Sequence, residues 1–302
     1  MTQTLLRNLL FTLVAALLSV PALAQLQGLV LEETSRRPVA NVNVYVENAV
    51  FGATTSPSGT FDIREFVPGN ALVINDAAYE LSRTVASGTT TTILLKQKIY
   101  SFKSWRESNP AKAETVFLNQ LPKKSAEGYR CGNTPGMMAR YFENTTELKA
   151  TKEIRKVSIL TTARNGKSSF GLRLIAANSD GTPGKDLIYQ AIAVTPKKGQ
   201  DTVTIDLSEF NLQLPKYGVF VAMEWMITEQ NYTVETKTEK IKKSKDLKLT
   251  TINYDPVFNA TVQDYGPVTT WRYSGGNWKP VDTLKRYKPE FLDLDVQLVV
   301  SN

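Results

Sequence analysis

From residue 154 to 226 the chain is a series of short apolar runs cut by turn formers: KVSILTT, FGLRLIAA, DLIYQAIAV, DTVTIDLS and YGVFVAMEWM. Within them apolar residues recur at every second position. Val157, Ile159 and Thr161 share one side, as do Phe170, Leu172 and Leu174, then Val203, Ile205 and Leu207, then Val219, Val221, Met223 and Trp225. Period two broken at Gly, Pro, Asn and Asp predicts antiparallel strands with one buried face. Phe291–Val300 reads as a last strand, with Leu292, Leu294, Val296, Leu298 and Val300 inward and Asp293, Asp295 and Gln297 outward. Eight or more such strands predict a jelly-roll-like antiparallel sandwich over residues 128–302.

Residues 25–98 carry a second set of strand signals. Leu26–Leu31, Val42–Val46, the segment containing Phe61 and Ile63, Ala71–Ile74 and Thr91–Leu95 follow one another closely, and Ser56–Gly59 is a turn cluster. Strands at roughly 8–12-residue spacing predict a smaller all-β sandwich. Between the two, residues 99–127 form a connector. Pro110–Leu121 reads as a short helix, with Pro110 in its first turn and Pro122 at its end. The fold class is therefore all-β, with one short connecting helix.

The N-terminus adds a cellular address. Arg7, the apolar run Leu9–Val20 and the small residues Ala22 and Ala24 predict a signal peptide over 1–24, cleaved before Gln25. The run is shorter than the ~20 residues a spanning helix requires, and no later segment is long and apolar enough to span. The expectation is an exported protein that is periplasmic, outer-membrane-associated or secreted. A net charge of +7 then fits an acidic envelope surface rather than nucleic acid.

Composition removes much chemistry. The chain has no histidine and one cysteine, Cys131. His-based triads, His-ligated zinc and Cys₄ sites are excluded, and no internal disulfide can form. Cys131 reads as a buried small hydrophobe. No cofactor is expected.

The order GLVLEETSRRPVANVNVYVEN, GATTSPSGTFDI, LVINDAAYE and TTTTILLKQ resembles the carboxypeptidase-regulatory-like domain of Bacteroidetes-type exported proteins. Gly28, Pro38, Val44, Thr55, Gly59 and Phe61 fall where that pattern expects them. Ser56 stands where Asp is usual, and Ala78 where Gly is usual. The resemblance covers about a quarter of the chain. It implies a seven-stranded, prealbumin-like, non-catalytic sandwich acting as spacer or docking module. Residues 156–226 resemble the region that accompanies such modules in exported Bacteroidetes proteins, which brings no activity with it.

Five features could carry chemistry. Trp271, Tyr273 and Trp278 flank Ser274–Asn277; aromatics on a hairpin can stack on sugar rings, or they can close one end of a core. Asn178, Asp180 and Asp186 share one loop and are candidate calcium ligands, though the same residues are ordinary turn formers. Glu224, inside an apolar strand, could join Asp293 and Asp295 as a carboxylate pair for glycoside hydrolysis. Met137 and Met138 could be soft copper ligands, or core. Lys237–Lys248 holds six lysines and reads as the charged tip of a long hairpin. The function expected is binding or assembly without catalysis, the partner being a glycan or another envelope protein.

Overall fold

The computed structural model describes residues 24–99, 114–145, 153–239, 247–264, 266–281 and 291–301. The signal segment before Ala24 lies outside them. The first domain holds β1 (Ala24–Glu32), β2 (Asn43–Val46), β3 (Gly52–Thr54), β4 (Thr60–Phe66), β5 (Ala71–Ile74), β6 (Ser82–Val85) and β7 (Thr90–Leu95). They form two sheets, β4-β1-β7 and β3-β2-β5-β6. Leu26, Val30, Val44, Phe61, Phe66 and Leu95 meet between them. Phe61 and Ile63 point inward as their alternation requires. In β2 all four residues are buried, so Asn43 and Tyr45 are covered on the face that alternation sends outward.

The chain continues through β8 (Thr115–Leu118), β9 (Glu127–Cys131), β10 (Met137–Phe142), β11 (Glu153–Ala163), β12 (Phe170–Ala177), β13 (Pro183–Asp186), β14 (Ile192–Val194), β15 (Gly199–Asp206), β16 (Leu212–Gln213) and β17 (Val219–Trp225). It ends with β18 (Tyr232–Glu239), β19 (Leu247–Gln263), β20 (Thr270–Ser274), β21 (Asn277–Pro280), β22 (Phe291–Leu294) and β23 (Val296–Ser301). One sheet runs β13-β12-β17-β10-β20-β21, with β14 also on β12. The other runs β18-β19-β11-β23-β8, with β15 and β16 on β11 and with β22 and β9 on β19. The inward residues of β12 and β17 meet Val157, Ile159, Val296 and Leu298 of the facing sheet. Trp225 stacks on Phe258 at 4.3 Å and donates its indole N–H to the Pro256 carbonyl at 2.7 Å.

Three expectations change. The short helix expected over Pro110–Leu121 is a strand in its described part: Thr115–Leu118 pairs with β23. Val116 and Leu118 pack on the core while Phe117 stays 61% exposed. The free edge beside β23 decided for strand over local helix propensity. The last strand is broken in two, because β22 pairs with β19 while β23 pairs with β11 and β8. Asp293 and Asp295 are buried rather than solvent-facing. Asp293 pairs with Arg140 at 2.6 Å and accepts from the Thr269 and Thr270 hydroxyls. Asp295 accepts from Thr261 at 2.7 Å.

The long hairpin is present: β18 and β19 pair from Tyr232↔Tyr254 to Glu239↔Leu247. Its lysine-rich tip, residues 240–246, lies outside the described residues. Among the described residues no helix is long and apolar enough to cross a membrane.

Candidate functional site

Charge is concentrated where the two sandwiches meet. On β12, Leu172 and Leu174 face the core, which sends Arg173 to the opposite face of the sheet. On β17, Met223 and Trp225 face the core, which sends Glu224 the same way. Met137 of β10 lies opposite both Glu224 and Tyr273 of β20 in the strand register. A lone sandwich would leave this face in water. Here the first domain covers it.

Arg173 is 4% exposed. Its guanidinium forks onto Asp186 with two bonds of 2.9 Å, and it donates to the Asn75 carbonyl at 2.7 Å and side chain at 2.9 Å. The remaining N–H meets the Met137 sulfur at 3.5 Å. Asn75 belongs to the first domain, so the bidentate pair is also a fastening between domains. Lys98, just after β7, donates to Asp186 at 2.9 Å and to the Asp76 and Ala77 carbonyls at 2.8 and 3.1 Å. Burial works against the Arg173 charge, but Asp186 and Glu224 outweigh it and raise its pKa.

Glu224 is 12% exposed. One oxygen accepts from Asn43 at 2.8 Å and from the Tyr45 hydroxyl at 3.3 Å, both on β2. The other lies 3.7 Å from Arg173. Burial, helped by the nearby Asp76 charge, pushes the Glu224 carboxyl up to about 7 against the pull of Arg173, Asn43 and Tyr45. Asn43 also bonds the Trp225 carbonyl at 2.8 Å and accepts from Thr54 at 2.5 Å. Thr54 in turn accepts from the Ile227 N–H at 2.7 Å.

The aromatic hairpin is built into this joint. Trp271, Tyr273 and Trp278 form the hairpin that was expected, but Tyr273 is 1% exposed and packs edge-on against Tyr45 at 5.1 Å. Its ring is therefore closed to a sugar. Trp278 packs on Tyr273 at 5.1 Å and Trp271 on Phe220 at 5.6 Å, and both stay half-buried. The hairpin turn touches the first domain: Asn48 N–H bonds the Gly275 carbonyl at 2.9 Å and Asn277 bonds the Asn48 side chain at 3.0 Å. At Gly275, with φ +55°, a Cβ would sit 2.7 Å from the Ala49 carbonyl. Only glycine permits both the conformation and the approach.

A cleft of about 660 Å³ opens beside the joint, with Asp76, Arg173, Glu224 and Glu229 among its lining residues. Val39, Val42, Leu172 and Ile192 form apolar wall. A larger groove of about 970 Å³ runs between β4 and the β18–β19 hairpin. Its charged residues, Asp62, Arg64 and Glu65, are exposed. Buried charge marks the smaller cleft as the chemically distinctive one.

The other candidates separate. Asp180 is exposed and turns back on Thr182, accepting from its N–H at 3.0 Å and its hydroxyl at 2.6 Å. Asn178 bonds Thr182 at 3.0 Å, while Asp186 points into the joint at Arg173. The three do not converge on one point, and the loop is held as a turn. Glu224 shares no partner with Asp293 or Asp295, so the structure does not assemble that carboxylate pair. Met137 faces the joint and Met138 the core, as strand alternation dictates. Cys131 is buried, and burial pushes its thiol up to about 12. Sequence reasoning missed Asn43, Asn75 and Lys98. The signal that could have found the joint is Arg173 and Glu224, opposite charges on outward positions of otherwise apolar strands.

Comparison with protein-family models gives no match. Comparison with curated proteins gives none either. Among solved structures the chain is similar to the cysteine protease and lectin-like domains of Cwp84, a surface layer associated protein of Clostridium difficile: 9% identity, TM-score 0.39, over 87% of this chain and 59% of that one. It is also similar to the structure of infectious bursal disease virus Gx strain: 9% identity, TM-score 0.22, over 87% and 57%. The chain thus spans less than two thirds of the length of either. Likenesses at this level assign neither an activity nor a ligand.

Proposed function

We propose that the protein is a non-catalytic cell-envelope or secreted protein with a binding or structural/assembly role, in which two sandwiches act as one rigid body. The first is a carboxypeptidase-regulatory-like module of Bacteroidetes type. The observation that carries the reading is the Arg173 guanidinium, 4% exposed, which joins Asp186 of one domain to Asn75 of the other. A freely jointed pair would leave such groups in water. Glu224 is not brought together with Asp293 or Asp295, each of which has its own partners, and this suits a scaffold better than a hydrolase. The test is fractionation of the native host with N-terminal sequencing, beside hydrolysis assays on glycoside and peptide panels. The expected result is an envelope or secreted chain beginning at Gln25 and no turnover. A cytoplasmic chain beginning at Met1, or hydrolysis lost in Glu224→Gln, would overturn it.

A glycan-binding reading is favoured by one observation: Trp271 and Trp278 keep part of their rings exposed beside Phe220 and Tyr141. Stacking on a half-exposed indole is worth about 1 kcal/mol per ring. On a glycan array, Trp271→Ala/Trp278→Ala should then weaken any bound glycan by about tenfold or more. Unchanged binding in the double variant removes this reading.

A further inference from the structure

We propose that the cleft between the two sandwiches is a binding site for an organic ammonium group, a protonated primary amine carried on an apolar chain. The argument starts from a charge count. The joint holds three carboxyl side chains, Asp76, Asp186 and Glu224, and two cationic ones, Arg173 and Lys98. Both cations are engaged. All five Arg173 N–H groups go to Asp186, Asn75 and Met137. Lys98 gives its three protons to Asp186 and two backbone carbonyls. Three carboxyls thus share two cations, and Glu224 has only Arg173, 3.7 Å away and beyond hydrogen-bond reach; buried charge so loosely paired is costly.

That charge lies on the cleft. Glu224 and Asp76 line it, and Glu229 adds a third acid to the lining. Arg173 is the one cation among the lining residues, and it is already committed to Asp186. The Glu224 oxygen bound by Asn43 and Tyr45 is taken; the other accepts no hydrogen bond from any described residue and has only the Arg173 guanidinium, 3.7 Å away. A single open oxygen suits the point charge of an ammonium group. A guanidinium would want both oxygens for its planar fork. The apolar lining of Val39, Val42, Leu172, Ile192 and Met226 suits a hydrocarbon body, and about 660 Å³ is within the usual range of small-ligand sites. The proton is the natural competitor, since the same carboxyl is half-protonated near pH 7.

The ammonium could come from a free amine or from a lysine side chain of a partner, so both are probed. Calorimetric titrations at constant ionic strength use hexylamine, Nα-acetyl-lysine methylamide, hexanol and hexanoate. Hexylamine should bind, and about tenfold more tightly at pH 8 than at pH 6. Glu224 ionises over that interval, while the amine, like lysine at about 10.4, stays charged. Hexanol and hexanoate should not bind. Binding of the lysine derivative points to a partner's side chain as the source, and its failure beside hexylamine points to a free amine. Glu224→Gln keeps an acceptor for Asn43 and should abolish hexylamine binding. No hexylamine binding at pH 8, equal binding of hexanol, an affinity flat between pH 6 and 8, or undiminished binding in a folded Glu224→Gln chain would each overturn the proposal. The wild-type arms decide it even should the variant misfold. A chain that binds no amine but is exported and unfolds as one body overturns this inference alone and leaves the scaffold reading in place.

Discussion

Arg173→Leu should cost about 3–5 kcal/mol, read at pH 7 from the midpoint of its first urea transition against the single wild-type transition. Leucine fills much of the volume but removes every bond that Arg173 makes. Asp186 keeps only Lys98, at 2.9 Å. The Asn75 carbonyl and amide oxygen lose their donors at the domain boundary. Glu224 loses the cation 3.7 Å away and is driven further toward its protonated form. Breaking one partner of a buried pair costs more than the pair contributes, because the other charge stays buried alone. Arg173→Lys should recover part of the loss, since it restores a charge but not the fork. A loss under about 1 kcal/mol in Arg173→Leu would mean that water reaches Asp186 freely.

The second large effect is a pH dependence that belongs to one residue. Burial raises the Glu224 carboxyl from 4.5 to about 7 in the folded chain. A raised acid binds its proton more tightly when folded. The stability it supplies is full below about pH 4.5 and is lost as pH rises through about 7. The shift corresponds to about 3 kcal/mol. Arg173, Asp186, Asp76 and Tyr45 surround the group, and Arg173 stays charged over that range in both states. Glu224→Gln should therefore be nearly as stable as wild type at pH 5 and more stable at pH 8. Urea midpoints of both chains at pH 5, 6, 7 and 8 measure this, since the difference between them cancels other titrating carboxyls such as Asp255 and Asp295, which burial also raises. Parallel profiles would sink the assignment. A ligand amine should oppose the same loss at pH 8, because binding to the folded chain alone stabilises it.

Much of the fold was legible in the sequence, and for one reason. Each sheet has a fully apolar side, so period two was written plainly in Phe170–Leu174, Val219–Trp225 and Leu292–Val300. What stayed illegible was whatever depended on the second face. Tyr45 and Asn43 look like outward residues of β2, and Tyr273 looks like the tip of a display hairpin. All three are buried because another domain arrives on that side, and alternation within a strand says nothing about distant chain. The strand at Thr115–Leu118 failed for a related reason: four residues are too few to show a period, and only the open edge beside β23 decides their form. Asp293 and Asp295 were sent outward by alternation, which held for their direction; what alternation omitted was Arg140 and three threonines waiting there.

The joint was half-visible. Ile175 and Ala177 on β12, with Phe220 and Ala222 on β17, make the outward rows apolar too. A strand apolar on both faces is one covered on both faces. Arg173 and Glu224 then stand out as opposite charges inside a covered surface, where an unpaired ion is unaffordable. Their partners Asn75 and Lys98 follow strands of the other domain and carry no local pattern.

Whether the joint makes one body of two sandwiches is tested most directly by differential scanning calorimetry of residues 25–302 beside Arg173→Leu. Wild type should unfold in a single cooperative transition whose calorimetric and van't Hoff enthalpies agree. Arg173→Leu should split into two transitions, one for each sandwich. Two transitions in wild type, with the same midpoints in the variant, would contradict it.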